Sequence, residues 1–367
     1  MIEYDEFGPE KILQVYDPLT KMRGVVVIDN TALGPGKGGI RMVPDITTEE
    51  VARLARAMTW KCSLAGLPFG GAKSGIMADP KKMSQEEKKQ IVKAFSKALK
   101  PLVPNQYIAA PDMNMAEEEM RWFAEENGDP KACTGKPADI SGIPHELGST
   151  GFGVFHATKI AVEHLGLDLN HISVAIEGFG NVGMFTAKFL AEHGAKIVAV
   201  SDSKGCIYNE DGLNIEKLIK IKKETQAVKN YKPGKVLENE KLFGLEVDVL
   251  IPGARPDVIT SENFHKVKAK IIVEAANIPM KPEIEEQFHK KNVLVVPDFV
   301  ANAGGVISSY VEYIGVTPDD MFKMVEEKIK KNTKLVLERA EKDEISPRTA
   351  AVEIAKEKVK EAMIKRI

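Results

Sequence analysis

Ile172–Asp202 reads ISVAIEGFGNVGMFTAKFLAEHGAKIVAVSD, and its order of residue types decides the fold. Ile172–Glu177 is a short branched apolar run, as a buried strand requires. Gly178, Gly180 and Gly183 follow in GxGxxG spacing, and Met184–Glu192 has the composition of a helix. Lys196–Val200 is a second apolar run leading to Asp202, 24 residues past Gly178. Strand, glycine turn, helix, strand and acid predict a βαβ dinucleotide-binding unit. Gly178 permits the turn, Gly180 lets the backbone approach a pyrophosphate, and Gly183 lets helix pack on strand. Phe179, Asn181 and Val182 complete the turn, and free N–H groups at the helix start are expected to face the phosphates. An ordinary α/β unit with a glycine turn is the alternative. An acid at Asp202, beside Ser203, favours the ribose hydroxyls of NAD and repels the extra phosphate of NADP. Lys204 is a cation that tolerates that phosphate, so NAD is favoured and NADP remains possible.

The rest of the composition narrows the class. A chain of 367 residues is long for one core, which predicts two domains. Apolar residues are 43% and charged ones 28%, with a net charge of -2 and no basic face for nucleic acid. No uncharged apolar window reaches membrane length, and MIEYDEFGPEK lacks the pattern of a secretory signal, so a cytoplasmic protein is expected. Cys62, Cys133 and Cys206 are scattered and odd in number, giving neither a disulfide framework nor a metal spacing.

Towards the N-terminus, Lys11–Tyr16 and Met22–Ile28 predict an antiparallel hairpin turned at Pro18. Asn30–Met42 (NTALGPGKGGIRM) has five Gly or Pro in thirteen residues and reads as a loop carrying Lys37 and Arg41. Thr48 is a candidate cap for a helix that buries Val51, Leu54, Ala55 and Met58. In GLPFGGAKSG, Lys73 sits among glycines on what reads as a compact turn, where burial or a nearby cation would lower its pKa. Ser84–Leu99 predicts a helix and Tyr107–Ala110 a strand. Asp112 just beyond it is either a site carboxylate or the cap of the next helix.

Lys131–Gly148 is punctuated like a linker, and Thr150 stands near the start of the following helix. After Asp202, the segment from Asp211 past Tyr231 reads as a solvated helical excursion. Val247–Pro252, Lys270–Glu274 and Val293–Pro297 are further strand patterns. In an open parallel sheet ligands lie beyond the carboxyl ends of strands, which nominates Ala254 and Asn277 as lining residues. Asn302, in the glycine-punctuated turn Asp298–Gly305, joins that candidate cofactor set. Ser309 and Tyr310 fall in the next helix, and Pro318–Ile367 is helical and charged. The predicted class is α/β with two domains: an N-terminal unit over 1–143, a Rossmann-type unit over 144–317, and C-terminal helices over 318–367 packing back.

Seven motifs in order carry a resemblance: GPGKGGIRM, MTWKCSLAGLPFGGAKSG, APDMN, GFGNVG, VSDSKG, EAAN and NAGGV. Together, from about Tyr16 to Glu312, they resemble the glutamate/leucine/phenylalanine/valine dehydrogenase family. The resemblance implies a substrate-binding and assembly domain followed by a nicotinamide domain. Lys73 and Asp112 match the family's catalytic lysine and aspartate, and Lys61 matches the lysine holding the α-carboxylate. Lys37 and Ser309 match the two positions that receive the side-chain carboxylate in glutamate-specific members, where branched-chain enzymes carry apolar residues. A cation suits glutamate, because an unpaired carboxylate is costly to desolvate. The expected reaction is therefore reversible NAD(P)-dependent oxidative deamination of L-glutamate by a homo-oligomer, a hexamer rather than an octamer. Gly142–Gly148 lacks the arginine usual before the Thr-Gly pair, and Ile278-Pro279-Met280 departs from the usual Gly-Pro continuation. The alternatives are a leucine- or valine-type dehydrogenase and a non-catalytic nucleotide-binding protein.

Overall fold

Lys11–Tyr16 (β1) and Arg23–Asn30 (β2) pair antiparallel around a turn held by the Thr20 N–H donating to Asp17 at 2.8 Å. The computed structural model describes residues 2–144 and 147–366; His145 and Glu146, in the expected linker, lie outside the described residues. Two units emerge from the packing. The first comprises Met1–Leu147, Val306–Met321 and Ile354–Ile367, the second Gly148–Gly305 and Phe322–Glu353.

The first unit is built on a five-stranded sheet of order β1-β2-β4-β3-β5, where β3 is Gly36–Val43, β4 Gly70–Met77 and β5 Tyr107–Pro111. Strand β3 runs parallel to both β4 and β5, and β2 runs antiparallel to β4. Alternation sends Val25 and Val27 to one face, where they pack on Val51 and Ala55 of helix α1 (Thr48–Leu64). Val26, Ile28, Ile40, Met42 and Ile76 face the other way. They form the larger core with Val92 and Phe95 of α2 (Gln85–Ala98) and Met120 and Phe123 of α3 (Glu117–Asn127).

Three expectations are corrected here. Most of the stretch read as the Asn30–Met42 loop is strand β3, and the lysine read onto a compact turn stands inside strand β4. The glycines reflect crowding: a Cβ on Gly38 would lie 1.7 Å from the Ala72 carbonyl oxygen, and one on Gly71 would lie 2.1 Å from Thr59 Oγ1 of α1. A strand stripped of side chains for close approach loses the branched alternation by which strands are recognised. Helix α1 is capped by Thr47, whose hydroxyl accepts the Glu50 N–H at 3.1 Å, and not by Thr48. Helix α2 has the full capping box: Ser84 accepts from the Glu87 N–H at 3.2 Å, and Glu87 accepts from the Ser84 N–H at 2.7 Å.

The second unit holds a seven-stranded sheet, and its helices begin with α4 (Ser149–His164). Strand β6 (Ser173–Glu177) leads through α5 (Asn181–Glu192) to β7 (Lys196–Asp202) beside it. The chain next adds β8 (Gly205–Tyr208), α6 (Ile215–Thr225) and β9 (Lys235–Leu237). It then crosses to the other side of β6 with β10 (Val249–Pro252), β11 (Ile271–Val273) and β12 (Leu294–Val296). The order is β12-β11-β10-β6-β7-β8-β9, parallel from β12 to β7 and antiparallel at β8 and β9. The doubly wound arrangement expected from the βαβ stretch is present, with its switch point between β6 and β10. The expected helical excursion is corrected: only α6 is a full helix, and β9 adds a sheet edge. That edge strand has three residues, two of them exposed, too few to carry a pattern. Tyr231, read as solvated, is buried with its hydroxyl accepting the Asn214 N–H at 2.9 Å.

Helices α7 (Pro282–Lys290), α8 (Asp298–Ala301), α9 (Gly304–Ile314), α10 (Pro318–Asp343) and α11 (Pro347–Ile364) complete the chain. The end of α11 packs back on the first unit as expected. Ser63 Oγ donates to the Ala355 carbonyl at 2.8 Å, and Lys358 Nζ to that of Leu64 at 3.2 Å. At its other end, Arg348 binds three carboxylates of the second unit: Glu285 at 2.5 Å, Asp298 at 2.8 Å and Glu274 at 2.9 Å. Among the described residues no helix is long and apolar enough to cross a membrane.

Candidate active site

In-register residues of parallel strands share a face, and Lys37 pairs with Gly71 of β4 and Ile108 of β5. Lys37, Gly39 and Arg41 therefore line up with Lys73 on the α1 side of the sheet. Asp112, just past β5, continues the same alternation. Lys73 Nζ is in direct contact with Asp112 Oδ2, and Arg41 Nε lies 3.4 Å from the same oxygen. Arg41 is held in turn by Glu50 at 2.7 Å, and Asp112 Oδ1 accepts the Met113 N–H at 2.8 Å. Gly39 makes the room: a Cβ there would lie 2.8 Å from Asp112 Cβ and 3.2 Å from Lys73 Nζ.

Asp112 is thus an ion-paired carboxylate beside Lys73. Helix α3 is preceded by Ala116, whose N–H donates to Glu119 at 2.7 Å, so the capping alternative falls. Burial lowers the pKa of Lys73, partly opposed by the charge of Asp112. Burial pushes the Asp112 carboxyl up, but Lys73 and then Arg41 outweigh it and leave the pKa lowered. The pair is an amine and a carboxyl group in direct contact in a largely desolvated position, within reach of proton exchange.

Lys37 is 1% exposed, and its Nζ donates to the Ala109 carbonyl at 2.8 Å and the Ile108 carbonyl at 3.5 Å. Burial brings its pKa down to about 8, opposed by the neighbouring Cys133, Glu312 and Cys62. It makes no ion pair among the described residues. Lys61 stands half-buried in the last turn of α1, and Ser309 half-buried on α9. Phe69 meets Tyr310 and Tyr313 of α9 edge-on, at 5.6 and 5.3 Å. Glu312, on the same helix, is fully committed. It accepts from Lys136 Nζ at 2.6 Å and from the N–H groups of Gly135 at 2.9 Å and Ile143 at 3.0 Å. The sequence reading missed Lys136 and Glu312, which lie 176 residues apart and share no motif. It placed Arg41 on a loop, although the two-residue spacing of Lys37, Gly39 and Arg41 is a strand signal.

In the second unit, Gly178, Phe179, Gly180, Asp202, Ser203 and Ala254 line one cavity of about 920 Å³. The three glycines behave as their spacing predicts. A Cβ on Gly178 would lie 2.7 Å from the Ala254 nitrogen, one on Gly183 would lie 1.9 Å from the Gly178 carbonyl oxygen, and one on Gly180 would meet nothing within 4 Å. The backbone at Gly180 is open to a ligand, so the cradle fits a pyrophosphate. Glu177, which the sequence reading passed over, sets the wall opposite by accepting the N–H groups of Gly253 at 3.1 Å and Ala254 at 2.9 Å. Burial raises its pKa, the two N–H groups opposing.

The other expected cofactor residues lie off that wall. Asn181, Val182 and Gly183 form the first turn of α5, and Thr150 lies in that of α4. A Cβ on Gly305 would lie 3.0 Å from Thr150 Oγ1. Asn302 Nδ2 donates to Asn277 Oδ1 at 2.9 Å, joining those two beyond β11. Asp202, expected as a free acceptor for ribose hydroxyls, is paired with Lys222 at 2.5 Å.

Two family models match, in keeping with this geometry. Residues 9–128 match the Glu/Leu/Phe/Val dehydrogenase dimerisation domain, and residues 141–366 match Glutamate/Leucine/Phenylalanine/Valine dehydrogenase. The chain belongs to the glutamate/leucine/phenylalanine/valine dehydrogenase family. It is an NAD(P)-dependent amino-acid dehydrogenase. The chain is 40% identical to a glutamate dehydrogenase of Aeropyrum pernix, over 99% of this chain and 94% of that one. It is 40% identical to an NADP-specific glutamate dehydrogenase of Saccharolobus shibatae, over 83% of this chain and 75% of that one. Among solved structures, the leucine-bound hetero-hexameric glutamate dehydrogenase of Thermus thermophilus superposes with a TM-score of 0.87. It is 30% identical, covering 98% of this chain and 90% of that one.

Proposed function

We propose that the chain converts L-glutamate, water and oxidised NAD(P) reversibly to 2-oxoglutarate, ammonium and the reduced cofactor, with a released proton. The observation that carries the choice of glutamate is Lys37: a buried lysine whose Nζ is bonded to carbonyl oxygens and makes no ion pair among the described residues. A lysine has three N–H donors, so one stays available for a ligand's acid group. A leucine side chain there would leave the charge desolvated for no return.

Lys61 holds the α-carboxylate, while Lys37 and Ser309 receive the distal one. The nicotinamide ring, when bound, supplies the acceptor for the hydride from Cα. The dinucleotide is held by the Gly178–Gly183 turn and the Asp202, Ser203 and Ala254 side of the cavity, with Thr150, Asn277 and Asn302 towards the nicotinamide. Lys73 activates the water that adds to the substrate's imine carbon, and Asp112 carries protons to and from the substrate nitrogen. When protonated, Lys73 stabilises the developing charge on the oxygen. Lys73 and then Arg41 hold the Asp112 carboxyl below its ordinary range.

The matched dimerisation domain and the hetero-hexameric Thermus thermophilus relative support an oligomer, which we read as a hexamer rather than an octamer and, for this chain, as a homohexamer. Three buried, unpaired cysteines support a reducing compartment, the cytoplasm. Initial rates with glutamate and leucine at equal concentration, each with NAD and NADP, test the reading. Faster turnover of glutamate with either cofactor is expected; faster turnover of leucine would reject it.

A further inference from the structure

Strand β7 ends in an ion pair that bears on which dinucleotide the chain accepts. Asp202 closes the strand, and its carboxylate is met by donors of the chain itself. Oδ1 accepts the Lys204 N–H at 2.7 Å, while Oδ2 accepts the Val228 N–H at 2.9 Å and Lys222 Nζ at 2.5 Å. The Asp202 side chain is 5% exposed, whereas that of Lys222, in the last turn of α6, is 23% exposed. Both line the cavity beneath the glycine turn, next to the exposed Ser203.

An unpaired acid at this corner would accept both hydroxyls of an adenine ribose and repel a phosphate on the 2′ oxygen. A carboxylate offers about four lone-pair sites, and the chain's own donors already occupy three of them. Its charge is cancelled at hydrogen-bond distance by an ammonium that still reaches solvent. The cavity's other charged residues are Arg255 and Lys266 against Glu177, Glu240, Asp257 and Glu262, and Lys222 is the cation in contact with the acid that closes β7. We propose that Lys222 determines cofactor specificity: paired with Asp202, it removes the acid's repulsion and presents a cation to a 2′-phosphate, so NADP(H) and NAD(H) bind with comparable affinity. Sequence motifs do not reveal this, because Lys222 lies 20 residues beyond the acid and meets it only through the packing of α6.

The inference rests on the dinucleotide reading of this cavity, and a binding experiment without amino acid separates the two. Calorimetric titration of the full chain would use NADH, NADPH, adenosine 5′-monophosphate and adenosine 2′,5′-bisphosphate. In the wild type the Kd values of NADPH and NADH are expected within about tenfold of each other, and the bisphosphate binds at least as tightly as the monophosphate. Lys222→Met is expected to weaken NADPH and the bisphosphate about tenfold or more, the range of a charge-assisted hydrogen bond. NADH binding should change less than about threefold, which shows that the site is still folded. Lys222→Arg should keep the wild-type ratio. A wild type preferring NADH by more than about tenfold, or a NADPH-to-NADH ratio unmoved by Lys222→Met, would overturn the proposal while leaving the dinucleotide site standing. Binding of neither dinucleotide would overturn both.

Discussion

A lysine that is 1% exposed, with a pKa brought down to about 8, makes its charge a titratable part of recognition. With Lys37 receiving the distal carboxylate, as proposed, glutamate binding needs the protonated form. The KM for glutamate should therefore stay level below pH 8 and rise up to about tenfold per unit above it, and that rise should vanish in Lys37→Leu. A glutamate KM that ignores pH through 9 in the wild type would place the distal carboxylate elsewhere. Lys73→Ala removes the group to which we assign activation of water. It should lower kcat by about 10³-fold or more, in the range of general acid–base contributions, with NADH affinity measured by fluorescence left within about twofold. Both lysines were legible in the sequence because a cation among glycines is an unusual combination. Lys136 and Glu312 were not, because a pair 176 residues apart is visible only once α9 is packed against the Gly135–Ile143 segment.

Strands β3 and β4 show why glycine content misleads at the scale of elements. Their glycines are the imprint of neighbours: the Ala72 carbonyl against Gly38, α1 against Gly71, and the Lys73–Asp112 pair against Gly39. The βαβ stretch was legible because its glycines punctuate elements instead of filling one. Gly39→Ala should perturb the Lys73–Asp112 pair, because a Cβ there would lie 2.7 Å from the Pro111 carbonyl oxygen, 2.8 Å from Asp112 Cβ and 3.2 Å from Lys73 Nζ. Displacing the two side chains by a few tenths of an ångström should cost kcat about 10- to 100-fold, with little change in the far-ultraviolet dichroism spectrum. Full activity would show that the gap at Gly39 has no catalytic role. The cluster on Arg348 belongs to the same scale, tying the end of β11 to α7 and α8. Burial, opposed by Arg348, raises the Glu285 pKa to about 7, and burial with its acidic neighbours raises Glu274 well above the ordinary range. A carboxyl with a raised folded-state pKa holds its proton longer in the folded chain. Its contribution to stability is complete below about pH 4.5 and is lost as pH climbs to about 7. The thermal midpoint should accordingly fall between pH 5 and 7.5, and Glu285→Gln should flatten that slope. An equal slope in the variant would remove Glu285 as its source.

At the scale of the whole molecule, chain length and the order of motifs announced two units of α/β type, and the Rossmann-type sheet appears where the glycine turn placed it. Membership of a unit is less legible than its type. Val306–Met321 belongs with the first unit because Tyr310, Tyr313 and Glu312 pack there, not because of its place in the chain. That grouping puts Lys37, Lys61, Lys73, Asp112 and Ser309 in one unit and the dinucleotide turn in the other. The central claim, a buried cation choosing an acidic amino acid, is tested most directly by the ratio of kcat/KM for glutamate to that for leucine. It should be measured at pH 7 in the wild type and in Lys37→Leu. The wild-type ratio should exceed about 100, and the substitution should lower it by about 100-fold, the value of a buried charge-assisted contact. A ratio that Lys37→Leu leaves unchanged would contradict the account.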